Sequence, residues 1–327
     1  MQPTTTNRGA ARVTLMTDSP CDLSRDLLDA HGVIVARFSY AEAEKADGGL
    51  TGMDDMFESR SAHEFYDAIR RGAMPMTSQP SPAEFDAAYR TCLATGLPTV
   101  YLCFSSGISG CYEGACAARD RLAEEYAAAH GGAELPITVV DTRMASAAQA
   151  LYVVEAIARR DEGLSAQEMV AWAHEATAHD HMTFMVDDLA CLARGGRIPP
   201  AAAKIGGALG VKPLLTIGLD GKLGLTGVAR GRRKALRKFV ETYRDARLTP
   251  DANGEVRSAT GARFSNTVVI GEADCPDDLT FLEEGLRRVD PDVRIVVSTV
   301  GPTIGCHVGP GMMACCFWGA DRRAATK

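Results

Sequence analysis

The chain has 327 residues, of which 46% are hydrophobic and 24% are charged, and its formal net charge is −7 at pH 7. This length predicts two domains with a substantial core, and the acidic balance argues against nucleic acid as a main partner. No apolar run reaches the ~18 residues of a transmembrane helix, and the N-terminus MQPTTTNRGAAR lacks the apolar segment of a secretory signal, so we expect a cytoplasmic protein.

Predicted strands and helices alternate through the first half of the chain. VTLMTDS (13–19), VIVARFSY (33–40), residues 99–104 and residues 137–141 are typical of strands, whereas residues 41–60 are polar and predict a loop. Between the strands lie predicted helices; one of them begins with a capping box formed by Ser61 and Glu64, and another is capped by Ser81. This alternation indicates an α/β domain over residues 12–165, with a parallel sheet between two layers of helices.

The pattern changes from about residue 166. A helix over 166–179 and a small-residue helix at 201–210 precede a hairpin with Asp220-Gly221 at its turn. Another helix follows at 232–247, then two strands around a helix at 277–288, and an apolar strand closes the chain. This half, 166–327, reads as an α+β domain, so the predicted fold class is α/β with two domains.

A glycine- and serine-rich loop, FSSGISG (104–110), lies between a predicted strand and a helix. Unpaired N–H groups at a helix start, together with the hydroxyls of Ser105 and Ser106, suit a carboxylate or a phosphate. The alternative is an ordinary turn capped by serine. Position 111 is Cys111, so the glycine of a nucleophile elbow is missing, and neither a Walker A loop nor a dinucleotide fingerprint is present.

Three further segments carry candidate binding residues. Thr77, Ser78 and Gln79 in MTSQPSP suit recognition of a carboxylate or a hydroxyl, or they are simply turn residues. In LARGGRIPP, Arg194 and Arg197 flank two glycines; they could reach an anion or a partner surface, or they are solvated arginines at a helix end. His307 lies among glycines that would permit close approach of a ligand, although a lone histidine is often a structural donor.

Other polar groups predict no cofactor and no metal site. Asp18, Asp141, Asp187 and Asp188 end or follow predicted strands, but the Ser or Thr after Asp18 and Asp141 favours capping of the next helix. The ten cysteines contain no C-x-x-C pair and predict buried thiols. A basic run over residues 230–238 is either a solvated helical face or a docking patch for an acidic partner.

Taken in order, eight segments resemble the DegV family of bacterial fatty-acid-binding proteins. They are TDSPCDL (17–23), TSQPSPAEF (77–85), FSSGISGCYEGA (104–115), VVDTRMAS (139–146), DDLACLARGGRI (187–198), GVKPLLTIGLDGKL (210–223), VARGRRKA (228–235) and GPTIGCHVGPG (301–311). This sequence departs from the family pattern at Pro20, Cys111 and Cys306, and its 249–263 loop looks longer.

The resemblance implies that a long-chain fatty acid is buried near the interface of the two domains. It implies that the carboxylate meets Thr77 and Ser106, with His307 nearby, and we add Ser105 and Ser78 as candidate ligands. Arg194 resembles the residue that contacts a partner or the head group. Tunnel-lining residues are expected within 201–217 and 312–318.

The resemblance also implies a carrier and not an enzyme. Characterised family members present the carboxylate to an ATP-dependent fatty acid kinase, whose acyl phosphate product feeds phospholipid synthesis. Such a carrier could also make transient contact with a membrane surface. The alternative is a stand-alone serine-dependent lipid hydrolase or transferase that uses Ser106 and His307.

Overall fold

A computed structural model describes residues 11–42, 49–203, 210–251 and 255–324. Residues 1–10, residues 204–209 of the predicted small-residue helix, and parts of the 41–60 and 249–263 loops lie outside these ranges. Within the described ranges, no helix combines the length and the apolar character that crossing a membrane requires.

The first sheet consists of the four parallel strands β1 (Thr14–Asp18), β2 (Ile34–Ala36), β6 (Thr99–Cys103) and β7 (Ile137–Asp141). They lie in the order β2-β1-β6-β7. The central strands β1 and β6 are buried along their whole length, as expected for a parallel sheet covered on both faces. Because all four strands run the same way, their carboxyl ends meet at one edge of the sheet.

A small antiparallel sheet lies beside the first and was not predicted. Its strands are β3 (Ser39–Ala41), β4 (Thr51–Met53) and β5 (Met76–Ser78), in the order β4-β3-β5. The single strand predicted over 33–40 is therefore two strands in different sheets, and part of the predicted 41–60 loop is a strand. Strands of three residues are too short to display a two-residue periodicity in the sequence.

The second half of the chain forms a six-stranded mixed sheet. Its strands are β8 (Asp180–Met185), β9 (Val211–Ile217), β10 (Leu223–Arg230), β13 (Thr267–Glu272), β14 (Arg294–Thr299) and β15 (Met313–Trp318). They lie in the order β10-β9-β8-β15-β13-β14, and only β13 and β14 pair in parallel among these neighbours. The strands β11 (Val256–Arg257) and β12 (Arg263–Phe264) form a separate ribbon.

The helices of the described ranges follow the predicted order, with two additions, at Ala190–Arg194 and Pro302–Val308. They are α1 (Arg25–Ala30), α2 (Ala62–Arg70), α3 (Pro82–Ala94), α4 (Cys111–Ala129), α5 (Ser146–Asp161), α6 (Ala166–Ala176), α7 (Ala190–Arg194), α8 (Pro200–Ala203), α9 (Arg232–Ala246), α10 (Pro276–Val289) and α11 (Pro302–Val308). The capping box of Ser61 and Glu64 is present at the start of α2. Helix α11 was not predicted, because its segment, PTIGCHV, contains proline and glycine and lacks a helical apolar pattern.

Helix α5 joins the two halves of the molecule. Nearly all of its residues are buried, and its core cluster contains residues of the first sheet as well as Phe184, Ala314 and Trp318 of the second. The opposite face of the second sheet, including Met185 and Phe317, packs against α9 and α10. The boundary predicted at 165/166 falls just after α5 and stays a prediction.

Candidate functional site

A narrow cavity lies between the sheets, with an empty volume of about 580 Å³ that includes the space at its mouth. Strand β5, the loop after β6, helix α11 and strands β8 to β10 all contribute to its wall. Most lining side chains are apolar, among them Phe38, Met182, Phe184, Ile217, Leu223 and Met312. The polar lining residues are Thr77, Ser109, Ser146, Arg197, Thr303 and His307.

Ile217 and Met312 belong to the two ranges in which tunnel residues were expected. An apolar cavity with a few polar groups in its wall is the usual form of a site for a largely hydrophobic ligand.

Thr77 and His307 form a polar pair in the cavity wall. The Thr77 Oγ1 atom lies 2.8 Å from His307 Nε2. Strand β5 directs Thr77 inward, opposite the buried Tyr40 of β3, while its neighbours Met76 and Ser78 are exposed on the other face. His307 lies in the last turn of α11. Two residues 230 positions apart are thus brought together by the fold.

The protonation of His307 follows from its surroundings. Burial, with smaller contributions from the charges of Arg197 and Arg194, lowers its pKa to about 4, so the ring is neutral near pH 7. Its Nδ1 atom has no hydrogen-bond partner among the described residues and faces Gly195, where an added Cβ would lie only 2.2 Å away.

A neutral ring carries one proton. With that proton on Nε2, the ring donates to Thr77 Oγ1 and the hydroxyl proton of Thr77 is left to donate to a ligand; with it on Nδ1, Nε2 accepts the Thr77 proton instead.

The serines of the FSSGISG loop take different positions. Ser106 is not among the cavity-lining residues; its Oγ and its backbone N–H both donate to the carboxylate of Asp141, at 2.6 and 3.2 Å. Ser105 is fully buried, and its Oγ donates to the carbonyl of Gly221 at 2.8 Å. The serine of this loop that faces the cavity is Ser109, which sequence reasoning missed.

Ser78 also lies away from the cavity wall, on the exposed face of β5. Of the predicted ligand-binding residues, the structure thus brings Thr77 and His307 together at the cavity and places Ser78, Ser105 and Ser106 outside its lining.

The two arginines of the LARGGRIPP segment differ in the same way. Arg194 is exposed and its Nη2 lies 3.3 Å from Cys191 Sγ, outside the cavity lining. Arg197 is half-buried in the cavity wall, where its Nε donates to the carbonyl of Ile108 at 3.1 Å and a second nitrogen donates to Gly195. Arg197 therefore adds a positive charge close to the Thr77–His307 pair.

The carboxylates considered as metal ligands lie outside the cavity lining and are held by protein groups. Asp18 accepts from the Phe104 N–H at 2.8 Å, and burial raises its pKa to about 6. Asp187 pairs with Lys212 and Arg232, and Asp188 accepts from the Ala190 N–H. These contacts fix loops, including the one that carries Ser109. The residues of the site itself offer hydroxyls, an imidazole and a guanidinium, a donor set that suits a carboxylate.

Comparisons with known proteins point to one family. The sequence model of the DegV family matches residues 12–319. The DegV domain-containing protein YteA of Lactococcus lactis is 34% identical over 302 residues, which cover 92% of this chain and 95% of YteA.

Solved structures share the fold. A DegV family protein from Thermus thermophilus, described by its fatty acid binding, is 28% identical with a TM-score of 0.73 over 94% of this chain and 99% of its own. The Streptococcus pneumoniae fatty acid kinase (Fak) B3 protein, loaded with linoleic acid, has a TM-score of 0.75 at 16% identity, with coverage of 94% and 99%.

Proposed function

Because this chain belongs to the DegV family, we propose that it binds one long-chain fatty acid in the cavity and carries it without transforming it. The observation that carries this proposal is the Thr77–His307 pair in the wall of a cavity that is otherwise mostly apolar. The binding of fatty acid by the Thermus thermophilus relative supports the same assignment.

The mostly apolar lining of the cavity suits an acyl chain. Each buried methylene contributes about 0.8 kcal/mol, so the tail supplies most of the affinity.

The carboxylate would be held by neutral donors and one nearby cation. We propose that it accepts a hydrogen bond from the hydroxyl of Thr77, which the Nε2–H of His307 orients, with Ser109 as the serine of the loop. Ser106, the serine expected from the resemblance, would then act through its bonds to Asp141, which shape the loop. Arg197 would offset part of the cost of burying a negative charge.

The hydrolase alternative lacks the geometry that it needs. A serine nucleophile must donate to a base that can take its proton. Ser106 donates to Asp141, and His307 is bonded to Thr77, so these two residues do not form a nucleophile–base pair.

We further propose that an ATP-dependent fatty acid kinase is the partner, that its acyl phosphate product feeds phospholipid synthesis, and that the protein acts in the cytoplasm, where ATP is available. The relation to the pneumococcal Fak B3 protein supports this partner. The exposed Arg194, next to Gly195 and His307, would contact the kinase or the head group.

Solvent extraction of the purified protein followed by mass spectrometry tests the first proposal. We expect a fatty acid in about equimolar amount, and its absence from protein expressed in fatty-acid-containing medium would count against binding. Thr77→Ala should lower the retained amount, whereas Ser78→Ala, one position along the same strand but on the exposed face, should not. Equal retention in both variants would refute the head-group assignment.

A further inference from the structure

Two buried carboxyl groups, Asp22 and Asp54, meet the start of helix α11 outside the cavity lining. Asp22 is 4% exposed and Asp54 is fully buried. Both belong to the first half of the chain, whereas α11 belongs to the second half and carries His307. Neither residue has a place in the head-group site proposed above.

Each carboxylate binds one backbone N–H at the start of α11. Asp22 Oδ1 accepts from Gly301 at 3.0 Å, and Asp54 Oδ2 accepts from Thr303 at 3.1 Å. Pro302, between them, has no N–H to satisfy. These bonds therefore satisfy two of the N–H groups that a helix start leaves unpaired.

The same carboxylates are fixed on their other side. Asp22 Oδ2 accepts from Ser146 Oγ at 2.5 Å, and Asp54 Oδ1 accepts from the Met56 N–H at 3.3 Å. Ser146 is the first residue of α5, and both Ser146 and Thr303 line the cavity. The two carboxylates thus join α11 to the loop before α2 and to the start of α5, across the wall of the cavity.

The packing at Gly301 shows how closely the helix start approaches. A Cβ at this position would lie 2.9 Å from Asp22 Oδ1 and 3.5 Å from Asp54 Oδ1. The two carboxyl groups therefore lie close to the same residue. Burial raises the pKa of both groups, and the neighbouring charge of Asp54 raises the pKa of Asp22 further.

Helix α11 is short, so its start governs the position of its end. From Thr303 to His307 the rise is only about 6 Å, at about 1.5 Å per residue. A shift at Thr303 would be passed to the imidazole, and Nε2 has one hydrogen bond, 2.8 Å long, to the Thr77 hydroxyl. We propose that Asp22 and Asp54 are positioning residues for the head-group site, which hold α11 so that His307 meets Thr77.

This inference rests on the proposed fatty acid site, and a comparison of two ligands separates the two ideas. Hexadecanoic acid has a carboxylate for Thr77 and His307, whereas methyl hexadecanoate fills the same cavity without one. The ratio of their affinities reports the head-group site, and the affinity for the ester reports the cavity.

We expect Asp54→Ala to lower the acid-over-ester preference about tenfold, as for the loss of one hydrogen bond to a charged group, while ester affinity stays within about twofold. Asp54→Asn is nearly isosteric and should fold even if the alanine variant does not. Its amide oxygen can keep the bond from Thr303, but the amide then turns a donor toward Met56, so a smaller loss, about threefold, is expected.

Asp290→Asn is the matched control, because Asp290 is also a largely buried carboxyl but binds Asn266 and Arg247 away from the cavity. It should leave the preference unchanged. The nitrogen NMR shifts of His307 provide a second measurement. In the Asp54 variants, the fraction of His307 that carries its proton on Nε2 should fall.

Folded Asp54 variants with the wild-type preference and wild-type His307 shifts would overturn the inference while leaving the fatty acid site intact. An equal fall in acid and ester affinity would also overturn it, because the carboxyl groups would then support only the cavity. A wild-type protein that does not prefer the acid would refute the proposed head-group site, and this inference with it.

Discussion

Replacing Gly195 with alanine is expected to separate His307 from Thr77. The backbone at Gly195 has a φ of −71°, which alanine adopts without strain. The added methyl group would lie 2.2 Å from His307 Nδ1 and 2.9 Å from its Cε1, so the imidazole must move. The substitution therefore acts on the side chain of His307 rather than on the conformation of its own loop.

The magnitude follows from the bond that is broken. A hydrogen bond to a charged group contributes about 1.5–3 kcal/mol, so losing the oriented Thr77 hydroxyl as a donor to the carboxylate should weaken acid binding about tenfold to a hundredfold. Isothermal titration with hexadecanoic acid, after removal of any co-purified lipid, measures this change. Gly227→Ala is the control, because no atom of the described part of the chain lies within 4 Å of its added Cβ.

A double-mutant cycle tests the proposed cause. In a His307→Ala background the methyl group of Gly195→Ala has no imidazole to displace, so it should cost nothing further. Wild-type affinity in Gly195→Ala would refute the reasoning about the contact. Additive losses in the double variant would show that the substitution acts by another route.

Three further predictions concern the remaining candidate residues. Ser109→Ala should weaken acid binding about five- to tenfold in the same titration, and Ser106→Ala should have a smaller effect; the reverse order would restore Ser106 as the ligand. Arg197→Ala should lower affinity for the acid more than for its methyl ester. Arg194→Ala should leave acid binding unchanged but slow phosphorylation by a cognate kinase. If Arg194→Ala lost as much acid affinity as Arg197→Ala, Arg194 would belong to the lipid site. Because the pKa of His307 falls from 6.5 to about 4 on folding, its contribution to stability is present above pH 6.5 and is lost as the pH falls toward 4, by up to about 3 kcal/mol. Urea unfolding between pH 7 and 4.5 should therefore show a smaller loss of stability in His307→Gln than in the wild type, and parallel profiles would contradict this.

Features set by neighbouring residues were readable in the sequence. The capping box of Ser61 and Glu64 involves positions three apart, and the Asp220-Gly221 turn is likewise local. Strand–helix alternation likewise predicted the parallel sheet. Family resemblance, rather than residue chemistry, selected Thr77 and His307 together, because nothing in their local patterns shows that residues 230 positions apart meet.

Features set by distant contacts were missed. Which serine of FSSGISG faces the cavity depends on Asp141, which captures Ser106 from the next strand of the sheet. Helix α11 contains proline and glycine, and its start is held by Asp22 and Asp54, which the local sequence cannot reveal. The ring of His307 is neutral because the fold buries it, another property that appears only in three dimensions.

In the proposed function, the acyl tail and the carboxylate of the ligand would have different roles. At about 0.8 kcal/mol per methylene, the apolar wall would supply retention, which grows with chain length. The donors of Arg197 already bind the carbonyls of Ile108 and Gly195, so this residue would contribute charge more than a rigid salt bridge to the carboxylate. A carboxylate held mainly by the neutral hydroxyl of Thr77, which His307 orients, would keep much of its reactivity toward a phosphoryl donor. Shortening the acyl chain should therefore lower affinity for the acid and its methyl ester alike, whereas weakening the Thr77–His307 pair should lower affinity for the acid alone.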